Sequence, residues 1–411
     1  MSVHTPSNTF TVATAASAAT LGTKATTPLY THSASPVVKT LSLSSYLCQE
    51  TRPLFLKEMR ESLMRIGTFY IKDHGIPSEI TADAMKTVQE YFALPLDEKK
   101  KMLIGNSRHY RGYKLIGEEI TNNEVDHREQ LQFGPEQPAI KSFIASVSPD
   151  YEGLPGPNQW PESTLALIPN FQPAILELMD QLQILSQHLM EAIALSLGCE
   201  TSYFRDLFGP SPYYRLKCAR YPSVAKAATI GCGAHKDTGF LTVLLQDMVG
   251  GLQGQDPYTG QWMDTRPIPD TFIITMGEAM ERLTGGLYKA TVHRVLNNTS
   301  DQDRYSIPFF FDPALDVKVP HRIPRTTPLL PNSSSARSLS VSSSSTTLVS
   351  ISDEESIFDD DLESQVEALS LADLEDASSS LQGGWSNGES IFKTVQSCHP
   401  EVYTRWYGRE L

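Results

Sequence analysis

From Tyr213 to Phe311 the chain breaks into short strand-like runs separated by turn residues: Tyr214–Tyr221, Phe240–Leu245, Gly251–Gln255, Thr271–Met276, Thr291–Leu296 and Tyr305–Phe311. Strands this short and closely spaced must share one core, which argues for a sandwich or a barrel. The part before them is mainly helical. Arg52–Arg65 carries Leu56, Met59, Leu63 and Met64 at helical spacing. Gly67 then breaks into the strand-like Thr68-Phe69-Tyr70-Ile71, which Gly75 and Pro77 close. A second helix follows through Ala82–Phe92, and Asp97–Lys101 reads as a solvated charged turn. A long helix from about Pro173 to Leu197 lines up Ile175, Leu178, Leu182, Leu185 and Leu189 on one side and stops at Gly198. His188, beside that stripe, reads as a structural histidine.

A chain of 411 residues could hold several domains or one large domain with unstructured appendages. The distribution of charge favours the second. Asp and Glu outnumber Lys and Arg by 48 to 34, but residues 338–391 hold twelve acids and no base, so the rest has 36 acids against 34 bases. A body so nearly neutral has no electrostatic bias toward nucleic acid or membranes, and no apolar run reaches the roughly 18 residues of a membrane span. Cys48, Cys199, Cys218, Cys232 and Cys398 are odd in number and widely spread, which suits a reducing compartment. Cytoplasm is the expected location. Mitochondrial import is the minor alternative, because the Ser-, Thr- and Ala-rich leader contains no Arg.

The chemistry-bearing residues fall within the strand-rich part. His235 and Asp237 stand two apart, so on an extended chain both reach one side while Lys236 points away. His293 follows at the centre of the strand-like Ala290–Leu296. Two imidazoles and one carboxylate make the facial ligand set of non-haem iron, with the opposite side of the cation open to a cosubstrate and oxygen. Arg304 and Ser306 also share a face, and a guanidinium fork beside a hydroxyl suits a carboxylate. Each fragment alone has a bland reading. His-x-Asp is a weak motif, a lone strand histidine is usually a satisfied core residue, and Arg-x-Ser is usually a surface salt bridge.

Taken together, the motifs identify the chain as similar to the iron(II) and 2-oxoglutarate dependent dioxygenase superfamily, in the branch typified by isopenicillin N synthase and the plant flavonoid and gibberellin oxygenases. The resemblance runs from Val37 to Asp312, about two thirds of the chain. It is carried by IGTFYIKDHGI (Ile66–Ile76), YFALPLDEK (Tyr91–Lys99), RGY (Arg111–Tyr113) and HREQLQFG (His127–Gly134) in the non-catalytic N-terminal part. In the core it is carried by AHKDTGFLTVLLQD (Ala234–Asp247), GGLQ (Gly250–Gln253), YKATVHRV (Tyr288–Val295) and RYSIPFFF (Arg304–Phe311).

The resemblance implies an α+β fold with a mainly β core, a double-stranded β-helix or jelly roll flanked by helices. It implies Fe(II) on His235, Asp237 and His293, and 2-oxoglutarate held by Arg304, Ser306 and Tyr221, with O2 as cosubstrate and ascorbate as candidate reductant. The implied reaction couples oxidative decarboxylation of 2-oxoglutarate to hydroxylation, or desaturation, of a small metabolite of the secondary-metabolism kind. Two alternatives stay open: an oxidase or cyclase of isopenicillin N synthase type that needs no 2-oxoglutarate, and a non-catalytic binding module on the same fold, against which the intact ligand set argues. Ala219 departs from the family pattern, since many plant members carry Asn there. Glu278 stands where relatives usually have Asp and reads as structural. Substrate contacts are expected near Arg111, Tyr113, Gln130, Lys217 and Phe309.

The expected organisation is a disordered leader (1–36), an N-terminal dioxygenase region (37–140), a linker with the long helix (141–209) and the jelly-roll core (210–320). A disordered Ser-rich acidic insertion (325–391) and a C-terminal helix (392–411) complete it. Serines among the acids of the insertion are candidate sites for a kinase. Tyr403, Trp406 and Tyr407 either pack near the mouth of the site or anchor a surface helix, and a monomer is the default.

Overall fold

The computed structural model describes residues 38–122, 124–224, 230–323 and 384–408. The expectations for the leader 1–36 and for the insertion up to residue 383 lie outside the described residues.

Eight strands build the larger sheet, in the spatial order Thr40–Ser42, Thr68–Lys72, Phe272–Met276, Leu241–Gln246, Arg304–Asp312, Tyr213–Tyr221, Glu129–Phe133 and Gly112–Lys114. Neighbours pair antiparallel except the first two, which run parallel. Four short strands, Trp262–Asp264, Leu252–Gln255, His293–Val295 and Cys232–His235, form an antiparallel second sheet. Both sheets contribute walls to one cavity. This is the jelly roll flanked by helices that the resemblance implies, within the sandwich-or-barrel class for which the strand pattern argues.

Side chains along a strand alternate between faces, and here the alternation separates core from cavity. On Arg304–Asp312, Ile307, Phe309 and Phe311 enter the main apolar core, while Arg304, Ser306, Pro308 and Phe310 face the cavity. On Tyr213–Tyr221, Leu216 and Cys218 go to the core, and Arg215, Lys217 and Tyr221 to the cavity. Leu241 and Val243 alternate with Thr242 and Leu244 in the same way.

The core face is closed by the 26-residue helix Phe171–Ser196, whose Leu178, Leu182, Leu185 and Leu189 are buried as their spacing predicts. Helices Arg52–Arg65 and Ser78–Ala93 pack against it. Gly198 ends the long helix at φ +74°, a left-handed stop that favours glycine. Gly67, at φ +75°, turns the chain from helix Arg52–Arg65 into the sheet; a Cβ there would collide with the Lys289 carbonyl. His188 is half-buried beside Glu191.

Two local expectations change, and of the two readings of the C-terminal aromatics one holds. Asp97–Lys101 is not a solvated turn throughout, because Leu96–Lys99 is helical and Lys99 is buried, 2.7 Å from Glu129. Folded structure resumes before residue 392. The strand Gly384–Ser386 leads into helix Asn387–Cys398, where Ser386 Oγ accepts the Glu389 amide, a helix start hidden within a Ser- and acid-rich stretch. A second helix, Pro400–Tyr407, follows. Tyr403 and Tyr407 pack with Tyr110, Phe143 and Phe392 in a separate apolar cluster, and Trp406 donates to the Gly105 carbonyl. These aromatics anchor the C-terminal segment rather than line the cavity.

Glu129 joins the N-terminal region to the jelly roll, since its buried carboxylate accepts from Lys99 Nζ (2.7 Å), Tyr113 Oη (2.5 Å) and Arg220 Nη1 (2.5 Å). Replacing Glu129 by Leu strands a buried ammonium and a phenol at once, and removing one partner of a buried pair costs about 3–5 kcal/mol. Urea unfolding is expected to show a loss of that order. Stability within about 1 kcal/mol of wild type would mean that the carboxylate does not hold these parts together.

Candidate metal centre and its cavity

The two histidines meet because their strands pair in register: His235 lies opposite His293, with a bulge between His293 and Val295. Their ring centroids are 4.4 Å apart. Each ring is fixed through Nδ1, which lies 2.9 Å from the Gly233 carbonyl in His235 and 3.0 Å from the Thr291 carbonyl in His293. A carbonyl only accepts, so Nδ1 carries the proton in each neutral ring and Nε2 keeps its lone pair. Both Nε2 atoms lie 3.8 Å from Asp237 Oδ1. The other oxygen, Oδ2, accepts from Thr242 Oγ1 at 2.7 Å.

The turn behind Asp237 is held as firmly. Its carbonyl accepts the Glu278 amide (2.8 Å), and the Phe240 carbonyl accepts Gly277 N (3.1 Å). A Cβ on Gly277 would collide with the Gly239 carbonyl. Glu278 itself opens helix Glu278–Leu283 and is exposed, in keeping with a structural role.

The donor atoms of His235, Asp237 and His293 lie within 4.8 Å of one another, and among the described residues no other group of three such side chains does so. Two free imidazole lone pairs and one carboxylate oxygen, each oriented by a hydrogen bond on its far side, fit a divalent cation. Electrostatics agree. Burial, followed by the facing His235, holds His293 below the usual imidazole value. For Asp237, burial alone would raise the carboxyl, but His293, His235 and the Thr242 hydroxyl outweigh it and hold the carboxyl down.

The cavity in front of this cluster measures about 330 Å³. Arg304 and Tyr221 are register partners on its wall, and the guanidinium lies 4.8 Å from the Tyr221 ring centre. Arg304 is 1% exposed and donates to Ser306 Oγ (3.3 Å) and Gln246 Oε1 (3.1 Å), neither of them a carboxylate. Ala219 is the register partner of Ser306.

The residues expected to contact a substrate separate. Lys217 lines the cavity. Arg111 is buried outside its wall, donating weakly to the Leu154 carbonyl; Tyr113 binds Glu129; and Phe309 points into the helix-side core. Gln130 is buried with neither amide atom hydrogen-bonded, and it too lies outside the cavity wall. The sequence reading missed Thr242, Gln246 and Arg215; strand alternation could have found Arg215, two residues from Lys217, whereas Thr242 and Gln246 reach their places through the turn at Asp237 and the pairing with Ser306. It also missed Thr394, Ser397 and Cys398, which line the cavity from helix Asn387–Cys398.

Comparisons with known proteins agree with this geometry. Residues 38–163 match the family described as the N-terminal region of non-haem dioxygenases in morphine synthesis, and residues 212–313 match the 2OG-Fe(II) oxygenase superfamily. A 2-oxoglutarate-dependent dioxygenase, frbJ, from Dothideomycetidae sp. is 34% identical over 276 residues, covering 66% of this chain and 72% of that protein. A 1-aminocyclopropane-1-carboxylate oxidase from Dictyostelium mucoroides is 33% identical over 298 residues, covering 65% and 79%. Among solved structures, a 2OG-Fe(II) oxygenase family protein from Caulobacter crescentus is 29% identical at a TM-score of 0.59, covering 69% of this chain and 89% of that one. A full-length Neurospora crassa protein crystallised in complex with alpha-KG is 26% identical at a TM-score of 0.58, covering 69% and 88%. The chain belongs to the 2OG-Fe(II) oxygenase superfamily: it is an oxidoreductase that works with Fe(II) and 2-oxoglutarate.

Two outcomes follow from the cluster's hydrogen bonds and charges. Thr242→Val frees one oxygen of Asp237 and is expected to weaken metal binding about tenfold or more, read with Mn(II) by electron paramagnetic resonance; unchanged affinity would show that the hydroxyl does not orient the carboxylate. Protons compete with the metal for imidazole, and His293 is already held below its usual value, so Mn(II) affinity should stay level from pH 8 down to about 6.5 and fall below that. A fall beginning near pH 8 would contradict the assignment.

Proposed function

We propose that His235, Asp237 and His293 hold the iron of this enzyme, and that Arg304, with Ser306 and Tyr221, receives the distal carboxylate of 2-oxoglutarate. The observation that carries the reading is that both imidazoles are pinned through Nδ1 with their Nε2 atoms turned toward one carboxylate oxygen. With iron and 2-oxoglutarate bound, the site would use O2 as oxidant: one oxygen atom would enter succinate as 2-oxoglutarate loses CO2, and the other would hydroxylate a C–H bond of a small organic molecule.

The chain's own residues bind and orient. Arg304 is a buried cation whose two hydrogen-bond partners are neutral, so a carboxylate there meets a guanidinium with no carboxylate bonded to it and a planar donor fork. The Ser306 hydroxyl adds a neighbouring donor on the same strand face. Thr242 keeps Asp237 turned so that one oxygen faces the histidines. Helix Asn387–Cys398 closes over the cavity, with Thr394 Oγ1 donating to Thr238 Oγ1 at 3.3 Å, and so limits water at the site. A cavity of about 330 Å³ suits a small metabolite rather than a polymer. Among the described residues no helix is long and apolar enough to cross a membrane.

Succinate release by Fe(II)-loaded protein given 2-oxoglutarate and oxygen is expected, and should rise on adding a metabolite extract. His235→Ala should abolish it. Arg304→Leu should raise the KM for 2-oxoglutarate by about tenfold or more, the worth of a charge-assisted hydrogen-bond pair. Stoichiometric iron without any succinate would overturn the cosubstrate assignment, and an Arg304 variant with unchanged KM would overturn the role of the guanidinium.

A further inference from the structure

Among the described residues, five lysines and arginines line the cavity; Lys236 and Arg128 are closely ion-paired, which leaves Arg304 and, apart from it, Arg215 and Lys217. Along Tyr213–Tyr221, Tyr221 faces Arg304 while Arg215 and Lys217 enter the same cavity from the other end. Six residues of strand separate Arg215 from Tyr221, roughly 20 Å at 3.3 Å per residue. Arg215 belongs to a different row. It is the register partner of Phe310, which in turn pairs with Thr242, whose hydroxyl holds Asp237. Two strand spacings of about 4.8 Å put the Arg215 backbone about 10 Å from that of Thr242. A small molecule anchored at Arg215 would therefore extend toward the metal cluster without occupying the Arg304 end.

Arg215 also lacks the partners that would make it merely structural. It is 5% exposed, and its Nε has no hydrogen-bond acceptor. Its ion pair with Asp312 is long, 3.9 Å, and the Asp312 oxygen concerned makes no hydrogen bond. The other Asp312 oxygen is taken by the Phe240 amide. The Phe310 ring lies 5.2 Å from the guanidinium carbon and stiffens the side chain. Among the described residues Lys217 has one partner, a long hydrogen bond to Glu119. Its Nζ lies 3.4 Å from Glu119, a carboxylate that also faces Arg128 at 3.5 Å. A buried donor without an acceptor, as at Arg215 Nε, costs free energy until something supplies the acceptor.

We propose that Arg215 and Lys217 form a second anion subsite, and that the molecule oxidised here is a small carboxylate whose acidic group docks on this pair. The proposal rests on the functional reading above, because it presumes that 2-oxoglutarate fills the Arg304 end. Thr394 and Ser397, one helical turn apart on the covering helix, line the same cavity.

The test is calorimetry on the full chain, loaded anaerobically with Fe(II) and saturated with 2-oxoglutarate, so that Arg304 is already occupied. The probes are matched pairs: benzoate and benzamide, phenylacetate and phenylacetamide, hexanoate and hexanamide. At least one carboxylate is expected to bind about tenfold or more tightly than its amide, the effect of one charge-assisted hydrogen bond. That ratio should fall to near one in Arg215→Gln and in Lys217→Gln, and return in part in Arg215→Lys. A dissociation constant is read on whatever fraction folds, so partial misfolding of a variant does not imitate the result. Amides binding as well as carboxylates in wild type, or no carboxylate binding at all, would overturn the proposal, as would a ratio that survives both substitutions. A protein that takes up no 2-oxoglutarate in the loading titration would instead sink the functional reading, and this one with it.

Discussion

Strand alternation is the constraint on which the rest of this structure depends. Within Arg304–Asp312, successive residues serve two incompatible environments: Ile307, Phe309 and Phe311 meet the long helix, while Arg304, Ser306 and Phe310 meet the cavity. The same division runs through Tyr213–Tyr221 and Leu241–Gln246, and register holds the three strands together. A slip of one residue would drive Arg304 into an apolar core and expose a row of phenylalanines. Burial of one set of positions on these strands therefore fixes the polar geometry of the alternate set.

The metal cluster draws its order from backbone rather than from a dense polar network. Gly233 and Thr291 each lie two residues before the histidine whose ring they capture, so the ring orientation is a local property of each strand. Register does the remaining work, because His235 and His293 are paired residues. Asp237 comes from the turn beyond the strand. There the contact between Gly239 and Gly277 leaves no room for a side chain, and the Thr242 hydroxyl sets the carboxylate. Three elements thus converge with little side-chain freedom, which lowers the ordering cost of binding a cation.

Much of this was legible in the sequence, and what was not has definite causes. The strands carrying Tyr221, Thr242, Arg304 and Ser306 were found because bulky alternating residues mark them. Cys232–His235 was not, since Cys-Gly-Ala has little strand character and exists as a strand through pairing with His293–Val295. Phe309 was chosen against the phase that Arg304 and Ser306 already set, in which Phe310 shares their face and meets the cavity. Lys99 looked solvated because a run of charges usually is, but Glu129, thirty residues away, draws it inside. The C-terminal tyrosines carried an aromatic signal that pointed to the site, whereas Thr394, Ser397 and Cys398 face the cavity and carry no such signal.

Ala219 bears on how the cosubstrate end is built. It lies in a row across four strands, Gln246, Ser306, Ala219 and Gln130, all on one face of the sheet. With a methyl group in the third place, orientation of Arg304 falls to its neighbours Ser306 and Gln246. Both are neutral. An arginine 1% exposed and oriented only by neutral groups keeps its full charge inside the protein, a state that is costly when empty and is relieved by an anion. The same reasoning separates Arg304 from Lys236 and Arg128, which also line the cavity but are neutralised by Glu281 at 2.6 Å and Asp126 at 2.9 Å. The positive charge this cavity offers a ligand is thus concentrated where the protein's own carboxylates are absent, distant or shared, at Arg304 and along Arg215 and Lys217.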